Sequence, residues 1–447
     1  MRLSSHRLSL FTAACAALLS AGVWACSDDN SASNPGGGTG PGTTPPPGTN
    51  PGSNGDDDPS VPPLYAVVSL PAATGGTEQT SYIIVSETLT GDLKPESAQI
   101  EVPGGAVAGG PARGRTLFVG NSTSSAVTRY TLDANSKLQA NGTVDFAVQG
   151  LTGLAGYSSA FEFIDANKAY WFSREGKVVV WNPTELTVTG AIDLSGVIRP
   201  DPANPGTNYT TSFSATPAHR QGSKLYSFVA WDSRMAGTIK VPSAYAVVII
   251  DSATDTAQIV VDEAGCGYGR DAVLVGDWLY IATEAVGTSV HHLNAANGPE
   301  PCLRRFNVTT NQFDASYTVK LNALANGAPV GSLAASPGGT PLLHVLDTTA
   351  PQVASFTNPR QLSSAAVWKT ARLTVGDTPS LEILDAPLKS ASVLPALLDT
   401  GFTVTPTFDT TDTVNPRIYE VTDDGIVATE RASATITGTT WGIVRLR

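Results

Sequence analysis

Few side chains in this sequence can do acid–base, nucleophilic or ligand chemistry. Residues 64–447 hold two cysteines, Cys266 and Cys302, and four histidines, His219, His291, His292 and His344. In an oxidising compartment the two cysteines can pair, closing an excursion that contains Val273 to Ile281 and the polar loop Glu284 to Pro301. The alternative is metal ligation with His291 and His292. Read as strand residues, however, adjacent histidines point to opposite faces, and the spacing is not that of a zinc site. The disulfide is the preferred reading, and no metal site is expected. His344 sits in the apolar run Leu342-Leu343-His344-Val345-Leu346 and reads as a hydrogen-bonded core or channel residue. His219-Arg220, Arg270 and Arg304-Arg305 supply local positive charge, and Trp231, ahead of Asp232, Ser233 and Arg234, opens a long loop where an exposed indole would give a stacking surface. Singly, each reads as a solvated loop or strand-face residue; together, His219, Arg220, Trp231, Arg270, Arg304 and Arg305 would make a ligand site. For hydrolysis, Glu162, Asp165, Asp271 and His344 could be recruited, although nothing in their spacing joins them.

The familiar catalytic signatures are missing. There is no H-E-x-x-H, C-x-x-C or G-x-S-x-G, and no phosphate-binding glycine loop before a helix. Gly104, Gly105, Gly109 and Gly110 fall between strands and read as turns. The chain carries 27 Lys plus Arg against 39 Asp plus Glu, and beyond residue 63 the balance is 25 against 34, a net charge of −9. An acidic body with no basic tail excludes nonspecific binding to nucleic acid or to an anionic membrane face.

These side chains need elements to hold them, and the sequence supplies strands. Beyond Pro63 there is no sustained apolar period of 3.6; short β-branched and aromatic runs recur between Gly, Asn, Asp and Pro clusters. The runs obey a repeated grammar: a strand with an aromatic end, a turn, a second strand, an Asp or Asn with Thr, then a third strand. Residues 115–119 lead in this way to 126–132, Asp133 and 143–146. Residues 168–172 lead to 177–181, Asn182-Pro183-Thr184 and 188–194. Residues 224–228 lead to 244–250, Asp251-Ser252-Ala253-Thr254 and 257–261. Residues 277–281 lead to 302–308, Thr309-Thr310-Asn311 and 313–319. Weaker copies follow at 341–346 with 365–375 and at 417–421 with 426–436, and the stretch 65–102 completes seven units in 384 residues. The spacing, near 55 residues, is slightly longer than the roughly 40 to 50 of a four-stranded blade. A seven-bladed β-propeller is the expected fold, with six or eight blades also compatible. The strands 64–70 and 441–446 are expected to pair and close the ring.

The N-terminus reads as an export and anchoring device. Arg2 and Arg7 precede an apolar run from Leu8 to Val23, shorter than the roughly 20 residues that span a bilayer. Val23-Trp24-Ala25-Cys26 has the layout of a bacterial lipobox, so residues 1–25 are expected to be a signal peptide and Cys26 to be lipidated. Residues 26–63 are rich in Gly, Pro, Thr and Asp and carry too little apolar surface to fold, so they are expected to be a tether for the domain at 64–447. The expected place is the bacterial cell envelope, at the outer membrane or a periplasmic face, as a monomer held to the membrane by its lipid.

The stretch Ala160-Phe161-Glu162-Phe163-Ile164 through Lys168-Ala169-Tyr170, with Val178-Val179-Val180-Trp181-Asn182-Pro183-Thr184 and Thr189-Gly190-Ala191-Ile192, resembles a group of propeller lipoproteins found with catecholate-siderophore (myxochelin) loci in myxobacteria. The likeness covers most of 64–447, is strongest from Tyr65 to Leu194, and lies in blade grammar more than in a chemical signature. It implies a lipid-anchored envelope protein serving siderophore or iron handling. A ferric catecholate is a compact trianion with aromatic rims, which an acidic body repels at long range, so a local basic and aromatic patch is required. The six residues named above would form it if the loops of the fourth and fifth blades share a face. The leading expectation is therefore a binding module for a small molecule or a protein partner, with no catalytic residue or cofactor specified. The alternatives are a propeller hydrolase of the lactonase type and an interaction scaffold.

Overall fold

A computed structural model describes residues 61–447 apart from 72–78, 236–237, 337–338, 387, 392–395, 400–401, 410–411 and 424–427. The signal, Cys26 and nearly all of the linker lie outside the described residues. Strands dominate, and among the described residues they form seven antiparallel sheets of four principal strands each. The protein is a seven-bladed β-propeller, as the repeats predict.

The blades follow chain order. The second uses Ala106–Gly109, Thr116–Asn121, Ser124–Leu132 and Leu138–Asp145 from the axis outward, and the third uses Phe161–Asp165, Lys168–Ser173, Lys177–Asn182 and Thr187–Asp193. The fourth runs Thr210–Phe213, Lys224–Met235, Tyr245–Asp251 and Thr256–Asp262, and the fifth Asp271–Val275, Trp278–Ala282, Cys302–Asn307 and Gln312–Phe313. The sixth holds Val330–Ala335, Pro341–Leu346, Trp368–Thr374 and Ser380–Ile383, and the seventh Ala396–Asp399, Phe402–Asp409, Asp412–Asp423 and Ala428–Ile436. The first blade is composite: Thr439–Arg445 from the C-terminus takes the axial place beside Tyr65–Leu70, Thr80–Ser86 and Ala98–Pro103. This antiparallel pairing of the two chain ends is the expected closure. The ring is sewn further by Gly91–Leu93, which adds in parallel to the outer strand of the seventh blade.

The pattern of residues follows from stacking blade on blade. Middle strands have neighbours on both faces, so they are apolar throughout: Tyr245–Asp251 reads YAVVIID, and its first six residues are buried. Outer strands face water and alternate, as in Thr187–Asp193. Axial strands converge where space is smallest, and there close approach demands glycine; a Cβ on Gly109 would lie 2.7 Å from Phe161, and one on Gly442 would lie 2.1 Å from the Ser158 hydroxyl. Apolar clusters fill the gaps between successive blades. Val107, Phe118, Phe161 and Trp171 join the second to the third, Tyr170, Phe213 and Trp231 the third to the fourth, and Tyr226, Val247, Leu279 and Phe306 the fourth to the fifth.

The Asp or Asn of the repeat caps the turn between third and fourth strands with its side chain. Asp133 accepts from the Asn135 amide, Asn182 from Thr184, and Asp251 from Ala253. In the fifth blade the acceptor is Asn307, bound by the amides of Thr309 and Thr310, whereas Asn311 occupies a left-handed position at φ 55.

Cys266 and Cys302 form a disulfide with Cα atoms 5.3 Å apart. The excursion it closes departs from expectation, because 285–293 is a helix and not an extended loop. α1 (Ala285–Leu293) is N-capped by Glu284, whose side chain accepts from the Val286 amide, and it is buried all round from Ala285 to Val290. His291 and His292 therefore occupy its last turn, with His291 Nδ1 3.1 Å from the Gly298 carbonyl. Two shorter helices follow, α2 (Leu321–Leu324) and α3 (Pro359–Ser364).

Candidate functional site

The two ends of the strands differ in build. Antiparallel order places the loops joining second to third strands, and those leading from one blade to the next, on one face. On that face the second and third blades turn tightly, across 122–123 and 174–176, while the next three blades carry excursions at 238–244, 283–301 and 347–367. The excursions pack on one another. α1 contacts α3, the Val241 amide donates to the Asn297 carbonyl, and Tyr268, Val286 and Val290 bury Ala230 and Ile239. A charge network centred on a buried carboxylate runs through them. Asp232 is fully buried, with Arg234 Nε at 2.6 Å, Arg360 Nη2 at 3.9 Å and the Tyr268 hydroxyl at 3.5 Å. The result is a wall over three blades beside low ground over two.

The six residues singled out in the sequence do not assemble into a patch. Arg304 and Arg305 are neighbours on one strand and leave it on opposite faces. Arg304 is buried with its Nε 2.8 Å from Asp262 and its Nη1 2.8 Å from the Tyr317 carbonyl. Arg305 lies between the rings of Trp278 and Tyr317, at 4.4 and 4.3 Å, and pairs with Asp314 and Asp377. Arg220 pairs with Glu162 at 2.8 Å, and Arg270 is buried 4.0 Å from Glu284. His219 Nε2 lies 2.9 Å from the Ala272 carbonyl, and burial pulls its pKa down to about 4. The exposed stacking surface expected of Trp231 is absent: its ring is fully buried and its Nε1 donates to the Val197 carbonyl. Each cation has a carboxylate within 4.0 Å because an acidic body offers one to nearly every guanidinium it buries.

The four residues considered for hydrolysis are likewise separated. Glu162 accepts from the Ala218 amide, and Asp271 from the Ala215 amide and the Thr216 hydroxyl. These two carboxylates thus clamp the interrupted axial strand of the fourth blade from both sides. Burial raises the Asp271 pKa. Asp165 caps an exposed turn through the Asn167 amide. His344 is buried as expected, its Nδ1 3.3 Å from the Ser332 carbonyl, and burial lowers its pKa to about 3. Among the described residues, no group of three or more His, Cys, Asp or Glu side chains is placed to hold a metal ion.

What the fold does gather is a small recess, open to solvent, at the low side of the same face. Four segments build it: the loop 155–160 between the second and third blades, Phe172 and Arg174 at the tight turn of the third, Phe213 and Ser214 at the end of the axial strand of the fourth, and Ser227 on its second strand. The rings of Phe172 and Phe213, 5.6 Å apart, make the apolar part. The Arg174 guanidinium lies 5.6 Å over the Tyr157 ring. Ser159 donates to the Ser214 carbonyl at 3.0 Å, the Phe228 amide donates to the Ser214 hydroxyl at 2.7 Å, and the hydroxyls of Ser214 and Ser227 are 3.2 Å apart.

No protein-family model and no curated protein matches the chain. Solved structures do. A putative 6-phosphogluconolactonase from Bacteroides fragilis is 13% identical with a TM-score of 0.48, over 88% of this chain and 100% of that one. The periplasmic gluconolactonase of Pseudomonas aeruginosa is 13% identical with a TM-score of 0.47, over 86% and 99%. A protein from Lactobacillus plantarum is also 13% identical with a TM-score of 0.47, over 86% and 100%. Likeness at this level assigns neither an activity nor a site.

The recess is an acceptor's environment. Of its ten lining residues Arg174 alone is charged, a local inversion of sign in an acidic molecule. The sequence does not announce its polar members, since they come from four separated segments and only Ser227 falls in a repeat strand, where it reads as blade grammar. The available signal was the loop GLAGYSSA at 153–160, a glycine- and serine-bearing stretch between blades, although Gly153 has a packing reason of its own, a Cβ there lying 2.3 Å from the Ser122 carbonyl.

Proposed function

We propose that this protein is a small-molecule binding module whose site is the recess between the third and fourth blades, held at the envelope by a lipid on Cys26. The observation that carries the binding reading is the convergence of four segments on an open recess with an apolar floor and polar rim, on the one face whose neighbouring blades are built up into a wall. The anchoring rests on the lipobox and the tether composition of residues 1–63. The six cationic and aromatic loop residues offer no shared surface for a ferric catecholate, so the binding reading does not depend on them.

The test uses ligand-observed NMR of a ring-containing fragment library on the full chain and on Ala155→Trp. Ala155 is exposed at the rim, so an indole there covers the mouth without entering the core. Fragments that bind the wild type and lose binding in the variant support the proposal; hits indifferent to the variant, or no hits, contradict it.

One observation favours a second reading, hydrolysis of a lactone. Asp271 is a buried carboxyl on an axial strand whose pKa burial raises above the usual carboxylate value. Under that reading the chain opens a model lactone faster than buffer and Asp271→Asn abolishes the excess; equal rates with and without the chain discard it.

A further inference from the structure

Where the chain enters the domain, four arginines gather on a molecule that is otherwise acidic. Arg445 and Arg447 end the segment whose strand closes the ring, and the loop 110–115 of the second blade is laid against them. The Arg113 amide donates to the Arg445 carbonyl at 3.0 Å and the Arg115 amide to the Leu446 carbonyl at 2.9 Å. Arg445 Nε donates to the Arg447 carbonyl at 2.8 Å, while Arg447 reaches with Nε to the Pro62 carbonyl at 2.9 Å and with Nη1 to the Ser136 hydroxyl at 3.2 Å. Arg115 Nη2 lies 3.2 Å from the Asp133 carbonyl. Carbonyls and hydroxyls fill donor sites but leave the charge standing. Glu87, itself exposed, stands 3.7 Å from Arg447. The backbone points the same way: Arg113 and Arg115 both hold left-handed conformations, at φ 57 and 52. Glycine takes that conformation freely and arginine does not, so one turn keeps two long cations where its backbone favours no side chain.

The segment leading into this corner carries the longest acidic run of the tether. Asp56, Asp57 and Asp58 lie outside the described residues, with Pro59, Ser60 and Val61 between them and Pro62. Four residues of extended chain span at most about 14 Å, so Asp58 is confined within reach of the guanidinium that holds Pro62. We propose that Asp56-Asp57-Asp58 folds back onto Arg113, Arg445 and Arg447 as a clasp across the seam where the two ends of the domain close the ring. The clasp fixes the point at which the tether leaves, on the face opposite the recess, and is independent of what the recess binds. A membrane phosphate is the competing occupant. The body's net charge of −9 repels an anionic surface at long range, whereas three aspartates on a leash of a few residues are present at an effective concentration near millimolar.

The experiment uses a protease that cuts before aspartate, on the full chain carrying Cys26→Ser and, in the same tube, on a free peptide of residues 48–63. Salt is set at about 0.01 M, where the Debye length is about 30 Å, and at about 1 M, where it is about 3 Å. At low salt the chain is expected to be cut at 56–58 about tenfold more slowly than the peptide, the product of three exposed ion pairs. At high salt, or in the chain with Arg113→Gln and Arg447→Gln, the ratio should fall to about threefold or less, the remainder being shielding by the folded domain. Arg113→Lys with Arg447→Lys should keep most of the protection, which separates loss of charge from misfolding. A ratio that neither salt nor the glutamine pair changes overturns the clasp. Cleavage as fast in the chain as in the peptide overturns it too; if that chain also sediments with phosphatidylglycerol vesicles and the glutamine pair does not, the corner belongs to lipid phosphates.

Discussion

His219 and His344 show how individual residues set the working range of this propeller. Burial is the main cause of their lowered pKa values, about 4 and about 3. Unfolded, each titrates near 6.5. From about pH 6.5 down to about pH 4 the unfolded chain therefore takes up protons that the folded one refuses, and stability falls by up to about 1.4 kcal/mol per pH unit for each histidine. Asp314, held down at about 2 by hydrogen bonds from Ser316 and Arg305, loses its contribution only as pH falls below about 4, outside this window. Urea midpoints should decline from about pH 7 to about pH 5, and His344→Gln should make the decline shallower. A level midpoint in the wild type over that interval contradicts the assignment. The same scale explains why the cationic patch was misread. A sequence shows Arg304 and Arg305 as a pair, but a strand sends them to opposite sides, each toward its own carboxylate.

Elements divide into those the sequence announces and those it hides. Middle strands such as Lys177–Asn182 are buried on both faces, so their apolar runs are continuous and readable. Axial strands such as Ala106–Gly109 and Thr210–Phe213 are short and small-sided because the axis is crowded, and they resemble turns. α1 is nine residues long, too short for its period to stand out, and its stability comes from packing on the fourth and sixth blades. The recess was illegible for a related reason: its lining comes from the ends of elements, where no period operates. Two predictions belong at this scale. The disulfide holds the base of the excursion over 36 residues, and the double variant Cys266→Ser, Cys302→Ser should lose roughly 3–4 kcal/mol in chemical denaturation. Unchanged stability would show that the wall is held by packing alone. Asp232→Asn leaves Arg234 and Arg360 without the buried charge between them and should cost about 3–5 kcal/mol by the same assay. A loss below about 1 kcal/mol would mean that water already screens the network.

The whole molecule is polar in its layout. The chain enters the domain beside its own C-terminus, where the Leu64 amide donates to the Arg447 carbonyl and the Arg447 Nε to the Pro62 carbonyl. That corner belongs to the face opposite the wall and the recess. A tether leaving there and ending in a lipidated Cys26 would turn the binding face outward from the membrane. Cys26→Ser should shift the protein from the membrane fraction to the soluble fraction or leave an uncleaved precursor, since a multiply acylated cysteine anchors far more firmly than a single chain. Fractionation unaffected by that change removes the anchor from the account. The central claim is the place of binding, and hydrogen exchange read by mass spectrometry, with the tightest fragment of the library at saturation, tests it most directly. Slower exchange in peptides covering 153–160 and 210–216, with 302–316 unaltered, is the predicted result. Protection confined to 302–316 and 217–222, or none anywhere, would place the site elsewhere and contradict it.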